Sequence, residues 1–512
     1  MSESVNSSRR ERLSSIPPFV IKATIAASLG GILFGYDMGV TSTALPQLKN
    51  TFGLSEKQEE MVVSFLYIGC ALGSCVGGHL CDRMGRKKMI LLTDLVFIVG
   101  ALILYSATSF DVVLSGRIFV GFAVAVSGIA DVAYLHEISP REYRGAIVSC
   151  NEACISLGFL LSYIIGYAFS VKIPNDGWRY MFGIGCVIAV LQFICMLSMP
   201  ESPVWLRQNQ KFDEADAAIL RIGASISFDT QDESTQNESV HDDSDSRQYS
   251  SFNINSPQQR GTPHPEELNC VTMRKYFRQI IIAVFLSVMQ HFCGHPNVLN
   301  FAPEIFAQIG FDSEDGRLIS TIFVGVVKFA TVCYAIKKVE VLGRRSLLLT
   351  GMSIIAISLC TLSLAYFLEG DNQMSLFGKI IATLSVFGVA GGYSLSFGPL
   401  VWLMVSELFP SSIRGRALGL STIISYAAAS LVSLTFLTGQ DKGLYVPFSM
   451  YSVLTIASIV FAKKYVPDTG DKSSEEIHHE LKAVWQSGRS FENISRQASA
   501  TILQVNEDRE II

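Results

Sequence analysis

Charge is what this chain has least of. Only 17% of its 512 residues are Asp, Glu, Lys or Arg, against about 25% in a soluble globular protein. Hydrophobic residues make up 49%, and the mean hydropathy is +0.36. That balance excludes an ordinary soluble fold and points to an integral membrane protein. Histidine is also scarce, at eight residues, and no cysteine pair has metal-ligand spacing with a nearby histidine. The 11 cysteines lie mostly in apolar segments, so neither a disulfide framework nor a zinc site is expected, and they read as small core residues. There is no GxxxxGK[ST] loop, which argues against an ATP-driven machine. There is no nucleophile–base constellation in a soluble domain, which argues against an enzyme. No cofactor is implied and nothing points to nucleic acid. The first residues, MSESVNSSRRERLSSIPP, lack a cleavable signal pattern, so the first apolar segment is expected to stay as a membrane helix.

What is present is a series of apolar runs, each long enough at roughly twenty residues to span a bilayer. They fall near 19–41, 61–82, 88–108, 112–135, 146–169, 178–200, 278–302, 316–338, 346–368, 377–404, 416–438 and 444–466. The expected fold is an all-α membrane protein of twelve transmembrane helices in two six-helix bundles. The expected layout is an N-terminus at 1–18, bundles at 19–206 and 278–466, a connection at 207–277 and a tail at 467–512. Basic residues follow the even-numbered helices: Arg83, Arg86, Lys87, Lys88, Arg141, Arg144, Arg344, Arg345, Arg414 and Arg416. Basic short loops stay inside, so both termini are expected to be cytoplasmic. In the connection, RQNQKFDEADAAILRIG reads as a short amphipathic helix, and the polar insert 226–269 has almost nothing to bury and reads as disordered. The stretch SSEEIHHELKAVWQ in the tail reads as a second amphipathic helix.

The two halves echo each other. The turn GGHLCDRMGRKKM (77–89) returns as KVEVLGRRSLL (338–348). HEISPREYRG (136–145) and SELFPSSIRG (406–415) share the pattern Glu-x-x-Pro-x-x-x-Arg-Gly. MPESPVWL closes the first half and VPDTGDK the second. Duplication with six segments per half is the layout of parallel-repeat transporters.

These motifs, together with GILFGYDMGV (31–40) and GRIFVG (116–121), resemble the sugar-porter family of the major facilitator superfamily. GHPN (294–297), GVVK (325–328), FGPLVWLMVSELFP (397–410) and LVSLTFLT (431–438) resemble the class III facilitative hexose transporters within it. The resemblance implies the major facilitator fold, with a sugar site between the halves that opens alternately to each side. It implies a hexose transporter of the plasma membrane or an endomembrane, working as a uniporter or with a proton as second partner. The sequence departs from the family pattern at several contact positions. The helix-five glutamine falls at Glu152, the helix-eight asparagine at Lys328, an acidic position of helix ten at Ser394, and the Asn-Trp pair of helix eleven at Ser425-Tyr426. A non-transporting sugar sensor, or a carrier of inositol or dehydroascorbate, stays open on these residues.

A sugar needs hydrogen-bonding side chains for its hydroxyls and an aromatic ring for its apolar face. The candidates are Gln290, His291, Asn297, Asn300, Trp402, Glu152, Lys328 and Ser425. Gln290, Asn297 and Asn300 are spaced to share one helical face, and Gly294 and Pro296 permit a break beside them. The competing reading of a membrane amide is interhelical packing, and of Trp402 an interfacial anchor. Asp37 and Arg117 lie at matching depths in helices one and four. They could form a proton-coupling pair or a permanent ion pair. Asp82, Arg86, Glu137 and Arg144 on the first half, with Glu340, Arg344, Glu407 and Arg414 on the second, form a candidate cytoplasmic gate, expected to meet across the halves. Asp94 and Asp131 are expected to be solvated or to support that gate.

Overall fold

The computed structural model describes residues 17–140, 144–222, 275–369, 374–440, 443–470, 472 and 474–487. The polar insert 226–269 lies outside the described residues, and so do the side chains of Arg144 and Glu340. Among the described residues, twelve helices are long and apolar enough to cross a membrane.

The first half comprises α1 (Pro18–Phe52), α2 (Glu56–Met84), α3 (Arg86–Tyr105), α4 (Phe110–Ile138), α5 (Arg144–Lys172) and α6 (Gly177–Leu197). The short helices α7 (Pro203–Gln208) and α8 (Phe212–Ile222) follow, so the amphipathic stretch expected there is helical. The second half opens with a broken span: α9 (Phe277–Phe292), α10 (His295–Asn300) and α11 (Ala302–Ile309). Then come α12 (Glu314–Leu342), α13 (Arg344–Glu369), α14 (Leu376–Leu395), α15 (Phe397–Leu408), α16 (Ser411–Ser433), the short α17 (Phe436–Gln440) and α18 (Tyr445–Tyr465). The tail helix is α19 (Ser474–Ser487).

Helix α1 runs well past the expected residue 41, to Phe52, and ends where Gly53 turns left-handed at φ +62°. Ser55 and Gln58 then start α2 through a capping box, with the Ser55 amide donating to Gln58 Oε1 at 3.0 Å.

Small residues decide how closely the helices approach. Gly31, Gly35 and Gly39 recur every four residues on one face of α1. A Cβ at Gly31 would sit 2.8 Å from the Asn151 carbonyl, one at Gly35 2.7 Å from the Ile155 carbonyl carbon, and one at Gly39 3.0 Å from the Phe159 ring. So α1 lies directly against α5, with no room for side chains between them. Gly69, Gly73 and Gly121 do the same for α2 and α4. The two halves meet along equivalent seams, α2 on α16 and α5 on α12. Large apolar side chains such as Val187, Ile194, Phe367 and Val453 point outward, as a lipid-facing surface requires.

Candidate functional site

At the end that carries the basic turns, the repeated motifs fold onto one another. Arg86 Nη2 lies 2.9 Å from Glu137 Oε1 and 3.2 Å from Asp82 Oδ1. Glu137 also accepts a short hydrogen bond from Ser202 Oγ. Next to Ser202, Glu201 accepts from the Lys87 and Lys88 amides at 2.9 and 3.4 Å, which satisfies free donors at the start of α3. Gly85 makes this possible. Its φ is +98°, and a Cβ there would lie 2.9 Å from the Glu201 carboxyl carbon. Trp205 Nε1 donates to the Asp82 carbonyl at 2.7 Å. The MPESPVWL stretch is therefore a clasp over the turn at 82–88.

The second half repeats the clasp in looser form. Arg344 lies 3.7 Å from Glu407, and Glu407 accepts a short hydrogen bond from Thr469 Oγ1. Gly343 stands at φ +80° with Asp468 against it. Thr469 and Asp468 thus take the places of Ser202 and Glu201. Arg414 donates to the Phe409 carbonyl at 3.3 Å. The sequence led us to expect these charges to face the opposite half. Here each described pair closes within its own half, because the motif after the sixth helix of each half supplies the missing partner.

Several hydrogen bonds join the halves toward the other end. Glu60 accepts from the Thr438 amide and from Thr438 Oγ1, both at 2.9 Å. Asn300 Nδ2 donates to Tyr67 Oη at 3.2 Å, Ser430 Oγ to the Ser64 carbonyl at 3.4 Å, and Tyr163 Oη to the Leu299 carbonyl at 3.5 Å.

Between these two levels sits the cluster of candidate sugar-contact residues. Gly294 takes φ +75° and ends the first piece of the broken helix. Gln290 Nε2 donates to Tyr393 Oη at 2.9 Å, and its Oε1 has no partner among the described residues. His291 Nε2 lies 2.8 Å from Ser425 Oγ, and its ring meets Tyr67 edge-on at 6.4 Å. His295 stacks on Tyr393 at 3.4 Å. Lys328 Nζ sits 4.9 Å over the Phe159 ring and 5.2 Å over that of Tyr393. Its charge is thus partly stabilised by ring faces, although the residue is only 3% exposed. Glu152 faces the same space, with Oε1 3.4 Å from where a Gly398 Cβ would stand. Among the described residues Glu152 and Lys328 do not reach ion-pair distance, yet each carboxylate or ammonium lies in the field of the other.

The remaining candidates sit differently. Asn297 gives its amide hydrogens to the Val432 carbonyl at 3.0 Å and to Tyr451 Oη at 2.8 Å, which ties α10 to α16 and α18. Trp402 is half-buried on α15, six residues past the break at Ser396. Among the described residues it makes no hydrogen bond or ring contact. The aromatic walls come instead from Tyr67, Tyr393 and Phe159, which were not singled out in the sequence. Tyrosine in an apolar run looks like core, and only the facing of each helix shows otherwise.

Deeper in the first half, Arg117 Nη1 contacts both Asp37 oxygens at 3.3 Å. Its Nη2 donates to Thr41 Oγ1 at 2.7 Å and its Nε to the Val62 carbonyl at 3.2 Å. The matching depths inferred for this pair therefore bring the two charges together. The expectation of solvated Asp94 and Asp131 fails: each is 1% exposed. Asp131 faces α1 and α6, and Asp94 faces a crevice between α1 and α4, so closeness to a helix end does not give them water.

Comparison with known proteins fits this geometry. The model of the family described as "Sugar (and other) transporter" matches residues 23–481. The chain is 31% identical to solute carrier family 2, facilitated glucose transporter member 10 of Danio rerio, over 90% of this chain and 93% of that one. It is also 31% identical to the glucose transporter GlcP of Staphylococcus epidermidis, over 90% of this chain and 96% of that one. Among solved structures it is similar to the partially occluded inward-open xylose transporter XylE from E. coli. That match has a TM-score of 0.71 and 26% identity, over 89% of this chain and 99% of the other. A match across nearly every helix, with the repeated clasps and the broken seventh span in place, makes this multi-pass membrane protein a member of the sugar transporter family, with the major facilitator fold.

Proposed function

We propose that this chain carries a hexose across its membrane by alternating access. Residues 19–206 and 278–466 would rock as two units, and the basic turns and both termini would face the cytoplasm. The observation that carries this is the break at Gly294, which turns Gln290 and His291 into the seam beside Tyr67, Tyr393, Glu152 and Lys328. These groups offer donors, acceptors and ring faces in one place, which is what a sugar requires. Gln290, His291, Ser425, Glu152 and Lys328 are the residues we assign to the sugar. Asn297 has packing partners that account for its donors. Hydrogen bonds between the halves at the outer ends, with clasps closed inside each half, fit a chain open toward the cytoplasm. In that state the pairs Arg86–Glu137 and Arg344–Glu407 each stay within one half.

The Asp37–Arg117 pair supports proton coupling. A carboxylate held by a buried arginine in one state and protonated in another would link a proton to the cycle. A similar solved protein is described as a proton:xylose symporter bound to 6-bromo-6-deoxy-D-glucose. The test is counterflow of labelled hexose in proteoliposomes, with unlabelled hexoses, inositol and dehydroascorbate as competitors, at two external pH values. Exchange competed by hexoses and lost in Gln290→Ala is the expected result. Binding without exchange would make the protein a sensor. Uptake indifferent to pH and to Asp37→Asn would make it a uniporter.

A further inference from the structure

The first bundle holds two more carboxyls that neither the sugar cluster nor the Asp37–Arg117 pair uses. Asp131 on α4 accepts from Ser127 Oγ at 2.7 Å and from Gln192 Nε2 on α6 at 3.1 Å. Two donors suit an ionised carboxylate. Asp94 on α3 is different. Both of its oxygens are buried with no hydrogen-bond partner among the described residues. It borders a crevice lined by Gly30, Leu33, Phe97, Val124 and Ser127, too narrow to hold a water. Gly30 is what lets the carboxyls in. A Cβ there would stand 2.7 Å from the Asp131 carboxyl carbon and from Gln192 Nε2.

The charges around this site are few. From α1 the lining residues are Gly30, Leu33 and Phe34, and from α4 they are Ala123, Val124 and Ser127, none of them titratable. Gln192 faces it from α6. Asp131 reaches the same crevice as Asp94, since Ser127 and Gly30 line it and both stand against the Asp131 carboxyl. Two anions in one dry space, with no cation between them, are strongly disfavoured. A metal ion would need several oxygen ligands and room that the crevice lacks. A proton needs neither.

We infer that Asp94 and Asp131 together form a proton-binding site. It holds one proton, seated on Asp94, while Asp131 keeps its negative charge on the Ser127 and Gln192 donors. The site is separate from Asp37–Arg117 and does not depend on the sugar assignment.

Infrared spectra of the full-length protein in lipid nanodiscs, without sugar, test this across a pH series. The wild type is expected to show the C=O stretch of a protonated carboxyl at pH values where free aspartate, with a pKa of about 3.9, is ionised. Asp94→Asn removes the intensity of one carboxyl, and Asp37→Asn leaves that contribution in place. Asp131→Asn, which takes away the neighbouring anion, moves the loss of the Asp94 band to lower pH. The inference is overturned if Asp94→Asn leaves the spectrum unchanged, if Asp131→Asn does not move the transition, or if added sodium rather than pH abolishes the band.

Discussion

Glu60 ties the two halves together at the end away from the basic turns. It is 1% exposed and accepts two hydrogen bonds across the seam, from the amide and the hydroxyl of Thr438 at 2.9 Å each. A hydrogen bond to a charged group contributes about 1.5–3 kcal/mol. Glu60→Gln keeps the size and can still accept from the Thr438 amide while its NH2 donates to the Thr438 hydroxyl, but both bonds lose their charge. Trading two charged hydrogen bonds for two neutral ones costs about 2 kcal/mol in all. At about 1.4 kcal/mol per factor of ten, the equilibrium shifts toward the outward-open form by roughly 30-fold. Ser430 reports on it, being buried at the same seam with its hydroxyl on the Ser64 carbonyl. A cysteine introduced by Ser430→Cys, with the exposed Cys75, Cys150 and Cys360 replaced by serine, would be labelled by an impermeant maleimide applied to the outer face. While the outward form is the minor one, the labelling rate scales with its population. The rate should rise about 30-fold in Glu60→Gln, and to a similar extent in Thr438→Val. An unchanged rate in both would mean that the bond does not hold the halves together.

Three further outcomes follow from the geometry. Glu137→Gln should lower the melting temperature more than Glu407→Gln, because Arg86 and Glu137 are 9% and 12% exposed and 2.9 Å apart, whereas Arg344 and Glu407 are 17% and 24% exposed and 3.7 Å apart. Stranding a buried charge costs about 3–5 kcal/mol, and the cost falls for a longer and more exposed pair; equal losses in a thermal-shift assay would contradict this. Gly294→Ala should reduce both stability and exchange, since it forces a side chain into φ +75° and a Cβ into the Tyr451 ring, 2.7 Å from Tyr451 Cγ; normal melting and counterflow would show that the kink is dispensable. Docking of α19 should weaken in mild acid. His478 Nδ1 lies 2.7 Å from Gln279 Nε2. Partial burial and the nearby His479, Lys275, Arg278 and Lys482 push its pKa below the ordinary histidine value. The folded state therefore binds its proton less readily than a free histidine, so docking is fully present above about pH 6.5 and is lost as the pH falls below it. Trp485, packed on Tyr465 at 5.1 Å, reports this by fluorescence, and His478→Gln should abolish the pH dependence of that signal.

The spans were legible because an apolar run of about twenty residues has few other uses. Their true ends were not. Helix α1 continues to Phe52 because its last turns pack against protein, where hydropathy carries no signal. The break at Gly294 could be read from Gly and Pro together. The break in the tenth span falls at Ser396, between the Gly391-Gly392 and Gly398-Pro399 pairs rather than at either. Asp37 and Arg117 could be matched by depth alone, since helices one and four run in opposite directions. Depth failed for Asp94 and Asp131. Which way a residue faces depends on how α1, α3, α4 and α6 are rotated, and the glycines that set those approaches look alike in the sequence. The same limit hid Tyr67 and Tyr393.

The two halves share a clasp but divide the remaining work. The first half keeps its intramembrane charges sealed within itself: Asp37 with Arg117, and Asp94 beside Asp131. The second half has the broken spans, α9–α11 and α14–α15, and carries most of the groups that face the seam. Glu152 and Lys328 are the exception, one from each half, with charges that interact across the space a sugar would fill. Among the described residues Asp37 and Asp94 make no hydrogen bond to the groups assigned to the sugar, so a change of charge at either would act through the packing of the first bundle. Glu152 is on α5, which packs tightly on α1 through Gly31, Gly35 and Gly39. A proton that loosened Asp37 from Arg117 would act on α1, which reaches Glu152 through this glycine face and also touches α10 of the broken span directly.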